Sequence, residues 1–85
     1  LYDQLIRSAT SIGANLVEGT AGASKNDFIK FNVIALKSAN ETKYWLSLIK
    51  ETLEVDKENI AIFIREANEI ANIIASIIIN ARKNS

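Results

Sequence analysis

The chain has 85 residues, 48% of them hydrophobic, and its ten Lys and Arg balance ten Asp and Glu. That length supports one small domain with a marginal core of its own. With no His and no Cys, hydrolytic triads, thiolate sites, His-based zinc or copper centres and ferritin-like di-metal sites are excluded in their usual forms.

Zero net charge argues against strong nonspecific nucleic-acid binding by one isolated chain. The charges are uneven, however: residues 1–50 hold six basic and four acidic groups, residues 51–85 four and six. The missing cysteines suit a reducing cytoplasm, which is the expected compartment, and no signal peptide is expected. The first residue, Leu1, already lies inside a helical pattern, so the chain reads as truncated or processed at that end.

At about 100° per residue, Leu1, Leu5, Ala9, Ile12 and Leu16 share one face of a first helix. It is expected to run over about 1–18 and to end near Glu18, with Gly19 as a left-handed C′ residue. The stretch Gly19–Ala23 is the small-residue cluster of the chain and its convincing long turn.

Ser24 then fits an N-cap, with Asp27 in the capping-box position three residues on. A second helix over about 25–54 follows, keeping Phe28, Phe31, Ala35, Ala39, Thr42, Leu46, Ile49 and Leu53 on one face. It would be about 45 Å long. Val55-Asp56 makes the second turn, and Asp56 caps a third helix over about 57–83. Its core face holds Ile60, Phe63, Ala67, Ile70, Ile74, Ile77 and Ala81, and Arg82 and Lys83 sit where the helix dipole favours cations. The apolar run from Ile70 to Ala81 is broken by Asn72, Ser76 and Asn80. It falls short of the roughly 20 residues a membrane span needs, so a buried helix is expected and no membrane partner. These elements predict an all-α, up-down antiparallel bundle in a single domain spanning 1–85.

Each helix also carries apolar residues away from its core face. Ile6, Gly13 and Val17 lie together on helix one; Ile29, Val33, Leu36 and Tyr44 form a strip on helix two, with Trp45 and Leu48 at another edge. Ile62, Ile73 and Ile79 interrupt the polar face of helix three. Gly13 inside a helix costs about 1 kcal/mol relative to Ala, which close approach by another backbone would explain. Single exposed apolar residues are ordinary, but four aligned on one helix are not. At about 25 cal/mol per Å², covering that strip is worth several kcal/mol. Ile6, Gly13, Val17, Ile29, Val33, Leu36 and Tyr44 are therefore the expected oligomer interface, and cover is expected both from an upstream helix and from neighbouring subunits.

Little else suggests chemistry. Glu18, Asp27 and Glu41 are the acids nearest the apolar faces, and capping already explains Asp27. Gly19-x-x-Gly22 followed by Ser24-Lys25 lacks the spacing and the preceding strand of a phosphate loop. Arg7 comes within reach of Glu41 once helices one and two fold together, and an interhelical ion pair is expected. Lys30 and Lys37 line one side of helix two with Lys25 near its start. Such a line is usually a solvated face, but repeated around a ring of subunits it attracts phosphates. No enzyme activity, cofactor, metal or small-molecule substrate is expected.

The segments Gln4-Leu5-Ile6-Arg7-Ser8-Ala9 and Ser11-Ile12-Gly13-Ala14-Asn15-Leu16-Val17-Glu18-Gly19, then Ser24, Phe28, Phe31, Ile34-Ala35-Leu36, Ser38 and Glu41, resemble a known pattern. They are similar to the bacterial four helix bundle protein family, also called the 23S rRNA intervening-sequence or S23 family. The resemblance runs over nearly the whole chain and is densest from Leu1 to Glu41. It implies a bundle protomer of a ring-like homopentamer with no known catalytic activity. Some members are encoded inside insertions in 23S rRNA genes, and a basic branch serves diversity-generating retroelements, binding nucleic acid and the reverse transcriptase. The family normally has a helix before the segment that begins here at Leu1, so three of four expected helices are present. Arg7, Lys25, Lys30 and Lys37 are the positions to which nucleic-acid contact carries over. A homo-oligomeric scaffold that binds RNA or a nucleoprotein is the leading expectation; a purely structural homo-oligomer with a protein partner is the alternative.

Overall fold

In the computed structural model, residues 1–22 and 24–84 are described, and every regular element among them is an α-helix: α1 (Tyr2–Ala21), α2 (Lys25–Thr52) and α3 (Lys57–Lys83). The helix starts follow from capping chemistry. Ser24 takes an extended conformation and its side chain accepts from the Asp27 backbone N–H at 3.1 Å, satisfying a donor the helix leaves orphaned. Asp56 does more, accepting from the Glu58 and Asn59 N–H groups at 3.1 and 3.3 Å. The α2–α3 turn covers residues 53–56, so α2 stops two residues before the expected position 54.

The end of α1 differs more. The helix continues through Gly19 to Ala21, Gly22 is extended at φ −64°, and no glycine has positive φ. Gly19 is thus no left-handed C′ residue. It is buried, and a Cβ built on it would meet Asn32 Nδ2 at 3.3 Å and Phe31 Cβ at 3.4 Å. Gly19 is small because α2 passes close by, not because the chain turns there. Of the expected turn residues, Ala23 lies outside the described residues.

The pairing Ser8 with Thr42, Ser11 with Ser38 and Gly19 with Asn32 runs in opposite directions along the two helices. So does the pairing of Lys43 with Asn68 and Lys50 with Lys57 across α2 and α3. Both neighbouring pairs are therefore antiparallel, and α1 and α3 point the same way. No Cα of α1 comes within 8 Å of one in α3. The Cα trace measures 47 × 21 × 13 Å, the shape of three corners of a four-cornered bundle with α2 as the middle corner.

The α1–α2 contact is built from small polar side chains. The Thr42 hydroxyl lies 3.0 Å from Ser8 Oγ and 2.8 Å from the Ser38 carbonyl. Ser8 donates to the Leu5 carbonyl, and Ser11 and Ser38 share a hydrogen bond at 2.9 Å. Asn15 donates to the Ser11 carbonyl at 2.8 Å, and buried Asn32 donates to the Phe28 carbonyl at 2.9 Å. Among the described residues no buried side-chain polar atom lacks a partner, which is what burial of hydroxyls and amides requires.

The apolar core lies on the other flank of α2. Ala35, Ile74 and Ile78 form its centre, with Ile12, Leu16, Ile29 and Leu36 packed around it. The buried line of α3 is Ala67, Ala71, Ile74 and Ile78, one step round from the expected face. Phe63 and Ile70, expected inside, are exposed.

Candidate functional site

That rotation opens a trough of about 490 Å³ between α1 and α3. Leu5, Ile6, Ala9 and Gly13 stand along its α1 wall, and Phe63, Ala67 and Ile70 along its α3 wall. Thr42 and Leu46 of α2 form the floor, and Glu66 is its one charged lining residue. Ile12 and Leu16 pack onto the core cluster and limit the trough at one end. Ile6 is 60% exposed and Phe63 51%, so large apolar groups face water on both walls. A Cβ placed on Gly13 would meet nothing within 4 Å; no part of this chain makes use of the missing side chain.

A second concavity, of about 540 Å³, lies on α2 alone. Val33, Leu36, Tyr44 and Trp45 supply its apolar surface, and Lys37, Asn40 and Glu41 its polar one. Tyr44 is 59% exposed, and its ring meets Trp45 edge-on with centroids 4.9 Å apart. Val33 and Tyr44 lie about 180° around the helix from Thr42 and Leu46. The hollow and the trough therefore open on opposite sides of the molecule.

The expected interface residues are divided by this geometry. Ile6, Gly13 and Val17 are exposed on α1, and Val33 and Tyr44 are exposed on α2. Ile29 and Leu36 are half-buried and spend much of their surface on the core. Seven residues expected on one interface thus belong to two surfaces and a core edge. The four basic residues Arg7, Lys25, Lys30 and Lys37 are all exposed. Lys30 and Lys37 share a line on α2, and the Lys30 ammonium sits 5.5 Å from the Phe31 ring centroid; Lys25 is turned about 140° from Lys30.

The Arg7–Glu41 ion pair does not form: both residues are exposed, and among the described residues no bond links them. The reason is rotational. Ser8 and Thr42 occupy the line where the helices meet, so Arg7 and Glu41, one position off it, splay into solvent. Glu18, Asp27 and Glu41 likewise stand on the surface, and among the described residues no cluster of three or more His, Cys, Asp or Glu could hold a metal. Among those residues no helix is long and apolar enough to cross a membrane.

Phe63, Ile70 and Asn40 were not marked by the sequence as surface-site residues. The first two match a helical core stripe, and their exposure follows only from the gap beside them. Asn40 was visible as the polar residue between Lys37 and Tyr44 on one α2 line.

No curated protein matches the chain. Among solved structures, it is similar to a protein of unknown function from the S23 ribosomal protein family of Bacteroides thetaiotaomicron VPI-5482. The two share 43% identity and a TM-score of 0.85, over 89% of this chain and 70% of that one. The family described as 23S rRNA-intervening sequence protein matches residues 1–76. With that match spanning most of its length, the chain belongs to the 23S rRNA-intervening sequence protein family.

Proposed function

We propose that this chain is a non-enzymatic, cytoplasmic scaffold that assembles with copies of itself and serves an RNA or ribonucleoprotein partner. One observation carries the assembly: the trough between α1 and α3 leaves Ile6, Phe63 and Ile70 in water, with Gly13 beside them unused. An additional helix, antiparallel to both walls, fits such a slot and satisfies the helix-packing geometry of a four-cornered bundle. Val17, 64% exposed on the same helix, extends the surface beyond the slot. A ring-like homopentamer is the form that family membership favours.

Light scattering tests the assembly, with five times 9.4 kDa expected; a monodisperse monomer at micromolar concentration removes it. Retention of RNA tests the partner. Binding that rests on phosphates weakens steeply as salt rises, so salt-insensitive retention counts against it. The zero net charge favours a second reading, a structural homo-oligomer whose partner is a protein, and that reading gains if RNA is not retained at low salt.

A further inference from the structure

We infer that the hollow on the outer face of α2 takes the same hollow of a second copy, turned end for end, so that two α2 rods pair antiparallel about a two-fold axis. The inference rests on the reading that copies of this chain associate, and it uses a surface apart from the trough.

The lining of the hollow defines what its occupant must carry. Val33, Leu36, Tyr44 and Trp45 make it apolar, and Lys37 and Glu41 place one cation and one anion in it. Both charged residues are exposed, and although they stand one turn apart on the same helix, among the described residues no bond links them. The two charges cancel, so a polyanion or a polycation gains no advantage there. A fitting occupant brings apolar groups, an anion opposite Lys37 and a cation opposite Glu41. α2 itself, reversed, supplies that set. Lys37 and Glu41 lie two residues on either side of Ala39. A second rod pivoted there sets Glu41 of one copy opposite Lys37 of the other, and symmetry makes the same pair again. It also brings Tyr44 within one residue's rise, about 1.5 Å, of the level of Val33 in the facing rod. Both side chains are exposed in the single chain and gain from that cover.

Asn40 sets the register. It is exposed and lines the hollow, and it lies one residue from the pivot, so its two copies stand about 3 Å apart along the rods. An amide both donates and accepts, so the two Asn40 side chains can bond to each other; a polar residue in a helix seam fixes register in this way. A parallel pair would instead set Lys37 against Lys37 and Glu41 against Glu41, which like-charge repulsion disfavours. One rod against one rod is a small contact, below about 1,200 Å², so it forms at higher concentration than assembly through the trough. Being isologous, it joins copies in twos.

Because the chain has no cysteine, Asn40→Cys places a single thiol beside the axis. Ser47→Cys, also at an exposed position, places one about 24 Å from its counterpart along the paired rods. Under mild oxidation Asn40→Cys should form disulfide-linked dimers and Ser47→Cys should not. Charge reversal reads the same contact without a covalent trap. Lys37→Glu and Glu41→Lys should each weaken pairing roughly 10-fold in sedimentation at high protein concentration, because each sets like charges opposite one another twice. An equimolar mixture of the two variants should pair again, and so should the double reversal in one chain. All of these residues are exposed, so thermal melts of the variants should match the parent. Equal cross-linking of the two thiols overturns the two-fold contact. So does a loss of pairing that neither mixing nor the double reversal restores, which would mean that the hollow meets a different surface of its neighbour. In either case, light scattering that still shows a larger assembly leaves the trough reading standing. A monomer at every concentration, with neither thiol linked, removes both.

Discussion

Replacing Gly13 by Ala should change folding and assembly in opposite directions. Gly13 lies inside α1 with helical backbone, and a Cβ there would meet nothing within 4 Å. In a helix interior Ala is favoured over Gly by about 0.8–1.0 kcal/mol, partly because the unfolded chain loses freedom. With no clash to subtract, nearly the whole gain should appear in the isolated protomer. For a domain of this size that raises the melting temperature by about 4–8 °C. In the assembly the same methyl would stand where another helix seats in the trough. Overpacking a close contact costs about 1–3 kcal/mol, which is roughly a 5- to 150-fold rise in the concentration needed for association. Thermal melts at sub-micromolar protein and sedimentation across a concentration series measure the two effects separately. A melting temperature that falls in the dilute protein would show that α1 is already contacted at Gly13. A variant that is more stable and assembles as well as the parent would show that nothing approaches the trough there.

Three further substitutions probe the frame. Ile74→Ala empties the centre of the small core, where Ile74 is 2% exposed; the loss should be about 2–3 kcal/mol, the low end for such truncations because a one-layer core can partly collapse, and urea unfolding reads it directly. Asp56→Ala removes both cap contacts of α3 and should cost about 1 kcal/mol, a drop in melting temperature that Asp56→Asn largely avoids. Thr42→Val keeps the shape but removes the hydroxyl between Ser8 and the Ser38 carbonyl, costing about 1 kcal/mol. Adding Ser8→Ala to it should cost less than the two single effects summed; strict additivity in a double-mutant cycle would mean the two hydroxyls are not coupled.

The helices were legible because their starts carry local chemistry: Ser24 and Asp56 announce caps in any context. The third helix was placed at the residues where it lies, 57–83. Orientation about the helix axis was less legible, because periodicity shows which residues are apolar and not which neighbour they meet. On α1 the stripe Leu1, Leu5, Ala9, Ile12 and Leu16 was expected as the core face. The structure gives the line that meets α2 to Ser8, Ser11 and Gly19, while Leu5, Ala9 and Ile12 line the trough toward α3. Hydropathy counts such small polar residues as surface, and only pairing across helices, Ser8 with Thr42 or Ser11 with Ser38, reveals them as interior. The same blindness assigned Phe63 and Ile70 to the core. They belong to a core face whose opposite wall this chain does not provide, and no pattern within one helix can report a missing wall.

The arrangement of the rods has a mechanical consequence. α2 acts as a keel along which α1 and α3 both lie close, while the two ribs meet only through side chains, where Ile12 and Leu16 reach the core that Ile74 and Ile78 share. Each rib is tied more firmly to the keel than to its counterpart, so loosening of one need not spread across the whole body. Amide protons in the middle of α2 should be the last to exchange with solvent, and those of the two ribs should exchange independently. A partner that spans both ribs would tie them together and turn three loosely joined rods into a single stiff frame.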